Sequence, residues 1–306
     1  MRTIADFILA ELAQERCVIA ADWRLYVYYA RVARAQGYRL PDRQSLSKQI
    51  QKMCSESQIE RLSDLSGVYQ VIVPFASSLP RPDEAIIQES NPTAVFSHFT
   101  AIAFHQLTDE IPQSIFVSYS PGISIRIPLG TTPDDWVDAP KPRLRYPKTV
   151  TPNKMTATDE KPTSRTVVWS KIKPEWDFGH MIGFVTQTPI YVTNLERTLI
   201  DSIRSPEKCL GLSEVFRVWR RAADQIDVDR IVQYVDRINQ GLLKQRVGLI
   251  LEKLEKNHPR LNEWADHATR GSSAKLDATS EFSSVYSERW RLSLNVPDST
   301  LSQLEA

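Results

Sequence analysis

Between Thr3 and Glu15 the apolar residues Ile4, Ile8, Leu9 and Leu12 recur at the spacing of one helical face. That spacing predicts a core-facing helix. A second helix is expected from Asp22, as its N-cap, to about Gln36, stopped by Gly37, the residue type best suited to a left-handed C-terminal cap. In "PDRQSLSKQIQKMCSESQ" Asp42 is the natural N-cap of a third, with Leu46, Ile50, Met53 and Cys54 as its apolar stripe. On a wheel of about 100° per residue, Gln44, Lys48, Gln51, Lys52 and Ser55 lie opposite that stripe and Ser47 at its margin. Arg43 falls nearer the stripe, but from the first turn it reaches outward. Residues 59–67 and 68–74 then form two short β-prone runs around a polar turn that ends at Gly67.

Further along, Ser97 is placed to cap a helix carrying Phe99, Ile102, Ala103 and either Phe104 or Gln106. "SIFVSYS", "ISIRIP", "RTVVWSKI" and "GFVTQTPIYV" read as strands. Residues 128–164 carry Pro128, Pro133, Pro140, Pro142, Pro147, Pro152 and Pro162 with little apolar periodicity, which predicts a long loop or mobile insertion. Its basic second half either touches nucleic acid or stays as solvated loop. In "YVTNLERTLIDSI", Thr193 and Glu196 have the spacing of a capping box, Arg197 and Asp201 are four apart and able to pair along a helix, and Leu195, Leu199 and Ile203 share a stripe. Helices are expected at 212–224, at 228–239 with Asp227 as cap, and at 242–257, forming a packed layer, and "RWRLSLNV" alternates like a strand.

Three helices followed by a hairpin is the element order of a winged helix-turn-helix, with residues 42–55 as recognition helix and 59–73 as wing. A chain of 306 residues exceeds what one hydrophobic core comfortably fills. The expected class is therefore α+β: a winged helix-turn-helix domain over 1–80, then a mixed α/β domain with a helical layer over 81–306.

Charge sharpens this picture. The net charge of +1 hides segregation. From Arg24 to Lys52 seven bases face Asp42 alone, a balance of +6; from Asp83 to Asp138 eight acids face Arg126 alone, −7; from Lys141 to Lys173 nine bases face Asp159 and Glu160, +7. Such segregation suits contact with a polyanion. The third helix has no acid on its polar face. Its amides, hydroxyls and cations are the groups that bond base edges and phosphates, so Arg39, Arg43, Lys48 and Lys52 are candidates for phosphate and Gln44, Ser47 and Gln51 for base edges.

Other chemistries find little support. His98 and His105 are seven residues apart, roughly 10 Å along a helix, too far to chelate one ion directly, and read as packing or helix-end groups. Cys17, Cys54 and Cys209 lack paired spacing and read as small buried hydrophobes of a reducing compartment. No phosphate-cradling glycine loop or nucleophile elbow occurs, and no cofactor or metal site is expected. The acids within the first residues do not suit a signal peptide, and no run approaches the roughly 20 apolar residues of a membrane span. A cytoplasmic protein is expected.

"VFSHFTAIAFHQL", "IFVSYSP", "IYVTNLERTLIDSIRSPE" and "QRVGLILEKL", in that order, resemble the AbiEi-like antitoxin family of type IV toxin-antitoxin systems. The resemblance covers most of residues 42–255. It implies a transcriptional autorepressor, not an enzyme. Such a regulator binds operator inverted repeats in double-stranded DNA through the N-terminal winged helix and counteracts a nucleotidyltransferase-type toxin from a neighbouring gene in abortive infection (phage defence). It further implies that Ser97, His98, Thr193, Glu196, Arg197 and Asp201 form a structural signature of the C-terminal domain. The alternatives are a nuclease-like defence enzyme with a DNA-binding domain, a solitary regulator without a toxin, or a protein-interaction scaffold.

Overall fold

The computed structural model of the chain describes residues 3–63, 65–73, 76, 79–121, 126–150, 164–271 and 274–305. It is a mixed α+β protein of two compact units. Unit 1 comprises Met1–Val95, Tyr119–Trp169 and Ile182–Tyr191, and unit 2 comprises Phe96–Ser118, Ser170–Met181 and Val192–Ala306. This division departs from the one expected at residue 80. Three stretches from the region assigned to the second domain, 81–95, 119–169 and 182–191, fall with the N-terminal elements, and ion pairs described below tie the proline-rich segment within the second of them.

Unit 1 begins with α1 (Ile4–Gln14), closed by a capping box in which Thr3 and Asp6 exchange hydrogen bonds. Ala5, Ile8 and Leu12 are its buried face. A short strand that the apolar spacing does not announce, β1 (Ile19–Ala21), leads into α2 (Asp22–Gln36). The N-cap of α2 is Ala21 rather than Asp22, and Gly37 ends it in the left-handed conformation at φ 68°. α3 (Arg43–Ser55) starts at Asp42, whose carboxylate accepts from the Ser45 amide at 2.7 Å. Ile50 and Met53 are buried, while Leu46 and Cys54 are half-buried. β2 (Ile59–Arg61) and β3 (Val68–Val71) pair antiparallel, with Ile59 opposite Val71 and Arg61 opposite Tyr69. β1 adds to the other side of β3, giving the order β1-β3-β2. α2 packs on α1, α3 and β1, and α3 packs on β2. α4 (Asp83–Ser90) follows.

A six-stranded mixed sheet has the order β6-β7-β5-β4-β9-β8, built from β4 (Val95–Phe96), β5 (Ser114–Tyr119), β6 (Thr149–Val150), β7 (Arg165–Lys171), β8 (His180–Val185) and β9 (Thr188–Thr193). β4 and β9 run parallel, and β6 and β7 antiparallel. "GFVTQTPIYV" is thus two strands rather than one, turning at Thr186, whose φ is 54°. In "ISIRIP", Ile123–Ile125 lie outside the described residues and Arg126–Pro128 form no strand.

Unit 2 is mainly helical: α5 (His98–Phe104), α6 (Leu195–Arg204), α7 (Leu212–Ala222), α8 (Val228–Ile238), α9 (Gly241–Lys253), α10 (Arg260–Asp266) and α11 (Asp298–Leu301). Its core gathers Phe99, Ile102, Leu199, Ile203, Phe216, Trp219, Val235, Ile250 and Trp290. α6 touches α5, α7, α8 and α9, which explains why eight of its ten residues are buried. In "RWRLSLNV" only Leu292 and Ser293 form a strand, β11, paired with β10 (Tyr286–Ser287); Trp290 turns into the core instead.

Candidate functional site

α3 displays its polar face to solvent. Arg43, Gln44, Ser47, Lys48, Gln51, Lys52 and Ser55 are all exposed, as is Arg39 just before the helix. The burial of Ile50 and Met53 against the rest of unit 1 fixes which face points outward, because the apolar stripe admits one rotation of the helix. Neither Arg43 nor Lys48 has a hydrogen-bonding or charged partner among the described residues. Lys52 lies 3.8 Å from Glu56, just past the helix, and both side chains are exposed, so that pair is weak. Arg39 and the backbone amides of the first turn hold the Asp42 carboxyl below the usual range, the Ser45 amide first among them.

The rest of the N-terminal basic run serves the fold and corrects the picture drawn from charge alone. Arg24 is buried, donates from Nε and Nη2 to Glu89 Oε1 at 2.9 and 2.6 Å, and reaches Glu15 Oε2 at 3.1 Å. Arg31 donates to both oxygens of Asp135 at 2.9 Å and to Glu11 at 2.9 Å. Arg34 donates to the Val137 carbonyl at 3.1 Å. Two acids of the middle segment, Glu89 and Asp135, therefore neutralise two bases of the first, Arg24 and Arg31. What remains free for a polyanion is Arg39, Arg43, Lys48 and, loosely, Lys52.

The described part of residues 128–164 is largely a long loop, one of its two expected forms, and such contacts tie it to the N-terminal elements. Thr132 and Asp135 cap a 3-10 turn over Pro133–Trp136, the Trp136 ring sits 6.1 Å from that of Trp23, and Arg145 Nη2 donates to Asp22 Oδ2 at 2.6 Å. Residues 151–163 lie outside the described residues.

The second constellation lies in unit 2. Ser97 is the N-cap of α5 without a side-chain capping bond, because its hydroxyl is 2.9 Å from His98 Nδ1 and 2.8 Å from Ser118 Oγ. His98 adopts a φ of 51° and is 5% exposed, and burial pushes its pKa down to about 4 against the pull of Asp201. His105, at the C-terminal end of α5, donates from Nε2 to the Thr193 carbonyl of β9 at 2.8 Å. The expected capping box of Thr193 and Glu196 is not formed. Asn194 caps α6 instead, accepting from the Arg197 amide at 3.0 Å; Thr193 bonds Thr198 Oγ1 at 2.7 Å, and Glu196 accepts from the Asp227 amide and from Arg230, each at 3.3 Å. One residue of register decides this, since the chain leaves β9 at Thr193 and Asn194 is the first with cap geometry.

Arg197 Nε donates to Asp201 Oδ2 at 2.9 Å, and both residues are buried. Arg204 adds a bond to the other Asp201 oxygen at 3.2 Å, and Arg197 Nη1 also donates to the Trp176 and Phe178 carbonyls. Burial raises the Asp201 carboxyl, but Arg197, His98 and Arg204 outweigh it and hold it below the usual carboxylate range. Each carboxylate of the signature is thus committed to a cation, and among the described residues no group of three metal-ligating side chains converges. The three cysteines are unpaired thiols; Cys209 is buried as expected, whereas Cys17 and Cys54 are half-buried. Among the described residues, no helix is long and apolar enough to cross a membrane.

Neither a family model nor a curated protein matches the chain. Among solved structures it is similar to the crystal structure of the RV2827C protein from Mycobacterium tuberculosis, with a TM-score of 0.51 and 12% identity, over 95% of this chain and 91% of that one. At that identity the likeness is one of fold: a mixed α+β architecture shared along nearly the whole length of both chains.

Proposed function

We propose that the protein is a sequence-specific DNA-binding autorepressor whose N-terminal unit works as a winged helix-turn-helix, with α3 as recognition helix and the β2–β3 hairpin as wing. The observation that carries this is the exposed face of α3: seven amide, hydroxyl and guanidinium or ammonium side chains able to reach base edges or phosphates, with no acid within the helix and two buried residues fixing its rotation. Arg39, Arg43, Lys48 and Lys52 neutralise phosphates, and Gln44, Ser47 and Gln51 approach bases. The antitoxin role, in a type IV pair with a nucleotidyltransferase-type toxin, is supported by the ordered motifs that resemble AbiEi-like proteins. In that reading the buried Arg197–Asp201 pair is architecture, and the chain acts in the cytoplasm by binding rather than by chemistry.

The test is titration of a duplex taken from directly upstream of the gene, at several salt concentrations. Replacing Lys48 and Lys52 by Ala should flatten the slope of log affinity against log salt by about two, at roughly 0.9 per phosphate contact. A wild-type slope in that double variant removes α3 from the interface. Magnesium-dependent cutting of the duplex, lost in Asp201→Ala, would overturn the non-enzymatic reading. Co-expression with the product of the adjacent gene, scored by growth, tests the antitoxin part.

A further inference from the structure

We propose that the proline-rich segment supplies a second DNA-contacting element: Arg143, at the rim of a cleft between α3 and the β2–β3 turn, takes a backbone phosphate beside the groove that α3 enters. This rests on the reading of α3 as the DNA-facing helix and extends it to a part of the chain no winged helix requires.

The cleft, of about 630 Å³, lies within unit 1 and is lined by Arg43 and Ser47 of α3, Arg61 of β2, Gly67 of the turn, and Arg143 and Arg145. Arg43, Arg61 and Arg143 are exposed, and their guanidinium groups have no hydrogen-bonding or charged partner among the described residues. The one acid among the described lining residues, Asp22, is already occupied by Arg145 at 2.6 Å. Elsewhere in the unit Arg24, Arg31 and Arg165 are paired with carboxylates. The three unpaired cations around this one concavity focus a positive field where a polyanion would lie. A phosphate is the complementary occupant, since guanidinium bonds it with two parallel N–H groups.

The segment is held firmly enough to present a side chain. The Arg145 amide donates to the Ser90 carbonyl at 2.9 Å, and Arg145 Nη1 donates to the Arg143 carbonyl at 3.1 Å. Tyr146 packs against Tyr119 and Trp169 at 4.9 and 5.1 Å between ring centroids, and Trp169 Nε1 donates to the Pro147 carbonyl at 2.7 Å. The turn of the hairpin is fastened to the same group: Asp22 donates its amide to the Gly67 carbonyl at 2.9 Å, and a Cβ at Gly67 would overlap the Arg145 guanidinium. Arg143 is thereby preorganised beside the hairpin, at little cost in loop ordering on binding.

Full-length protein carrying Arg143→Ala, Arg143→Lys or Lys48→Ala is titrated, across a salt series, on the upstream duplex and on a duplex of scrambled sequence. Arg143→Ala should reduce the salt slope by about 0.9 on both duplexes and weaken binding several-fold, whereas Arg143→Lys keeps the slope, because a phosphate contact is electrostatic and reads no sequence. Unaltered far-ultraviolet circular dichroism will show that the exposed substitution leaves the fold intact. If Arg143→Ala keeps the full slope while Lys48→Ala loses its share, the proposal is wrong and the α3 reading stands. If the wild-type protein binds neither duplex, both fall together.

Discussion

His98 joins three features that rarely coincide: a left-handed backbone, a hydrogen bond to the preceding Ser97 hydroxyl, and almost complete burial. Histidine, like asparagine and aspartate, is enriched among the non-glycine residues with such a φ, yet the conformation is uncommon and its surroundings hold it there. The Ser97 hydroxyl links the His98 ring to Ser118; burial disfavours the protonated ring most, Asp201 favours it, and Lys208, Arg197 and Arg204 disfavour it further. The unfolded chain protonates this histidine near pH 6.5 and the folded chain only near pH 4. As the folded value is the lower one, acidification favours the unfolded state through that window and costs about 3 kcal/mol by its end, after which the histidine adds no further slope. Asp201, whose carboxyl is held low, contributes stability that is present above the ordinary carboxylate pKa and fades only as pH falls further. Urea unfolding at a series of pH values should show the first effect shrink by about 2–3 kcal/mol in His98→Asn, which tolerates the same backbone. An undiminished pH dependence in that variant would falsify this account of His98.

At the scale of elements, the hairpin turn depends on one residue. Gly67 has a φ of 78°, and any Cβ there meets both the Arg145 guanidinium and the Asp22 carboxylate. Gly67→Ala should therefore destabilise the protein by about 1–3 kcal/mol and, by displacing Arg145, lower DNA affinity beyond what the stability loss explains, which thermal unfolding and duplex titration together measure. Unchanged unfolding would show that the clamp yields freely. The turn's end at Gly67, the Asp42 cap and the stripe of Ile50 and Met53 could be read from sequence because each is a local rule acting within one or two turns. The Asn194 cap was not legible in that way: Thr193 fits the capping-box spacing equally well, and only the length of β9 decides between them. Nor could sequence reveal that Arg24 and Arg31 are internal, since Glu89 and Asp135 are far along the chain and charge counts do not say which charges meet. Arg61 carries a weak sign, being a base within the expected wing. Arg143 carries none, because only folding brings it to the cleft.

For the molecule as a whole, a net charge of +1 gives no general attraction to DNA, so the proposed DNA binding must draw its electrostatic part from cations that folding leaves unpaired. The proposed interface uses Arg39, Arg43, Lys48 and the loosely paired Lys52, with Arg143 under the further proposal. Four or five phosphate contacts correspond to a salt slope of about −4, too little by itself for tight operator binding at physiological salt. On the proposed reading, a second chain on an inverted repeat supplies the rest, since two-fold DNA presents the same half-site twice and doubles the released counterions. The slope on a full inverted repeat should then be about −8, against about −4 on a single half-site. Sedimentation of the complex should find two chains on the repeat and one on the half-site. Equal slopes on both duplexes, with one chain on each, would mean that a single copy reads the operator and that specificity comes from base contacts rather than from symmetry. Changing the spacing between half-sites by half a helical turn adds a geometric check, because two recognition helices placed on opposite sides of the duplex cannot be served by one rigid pair of chains.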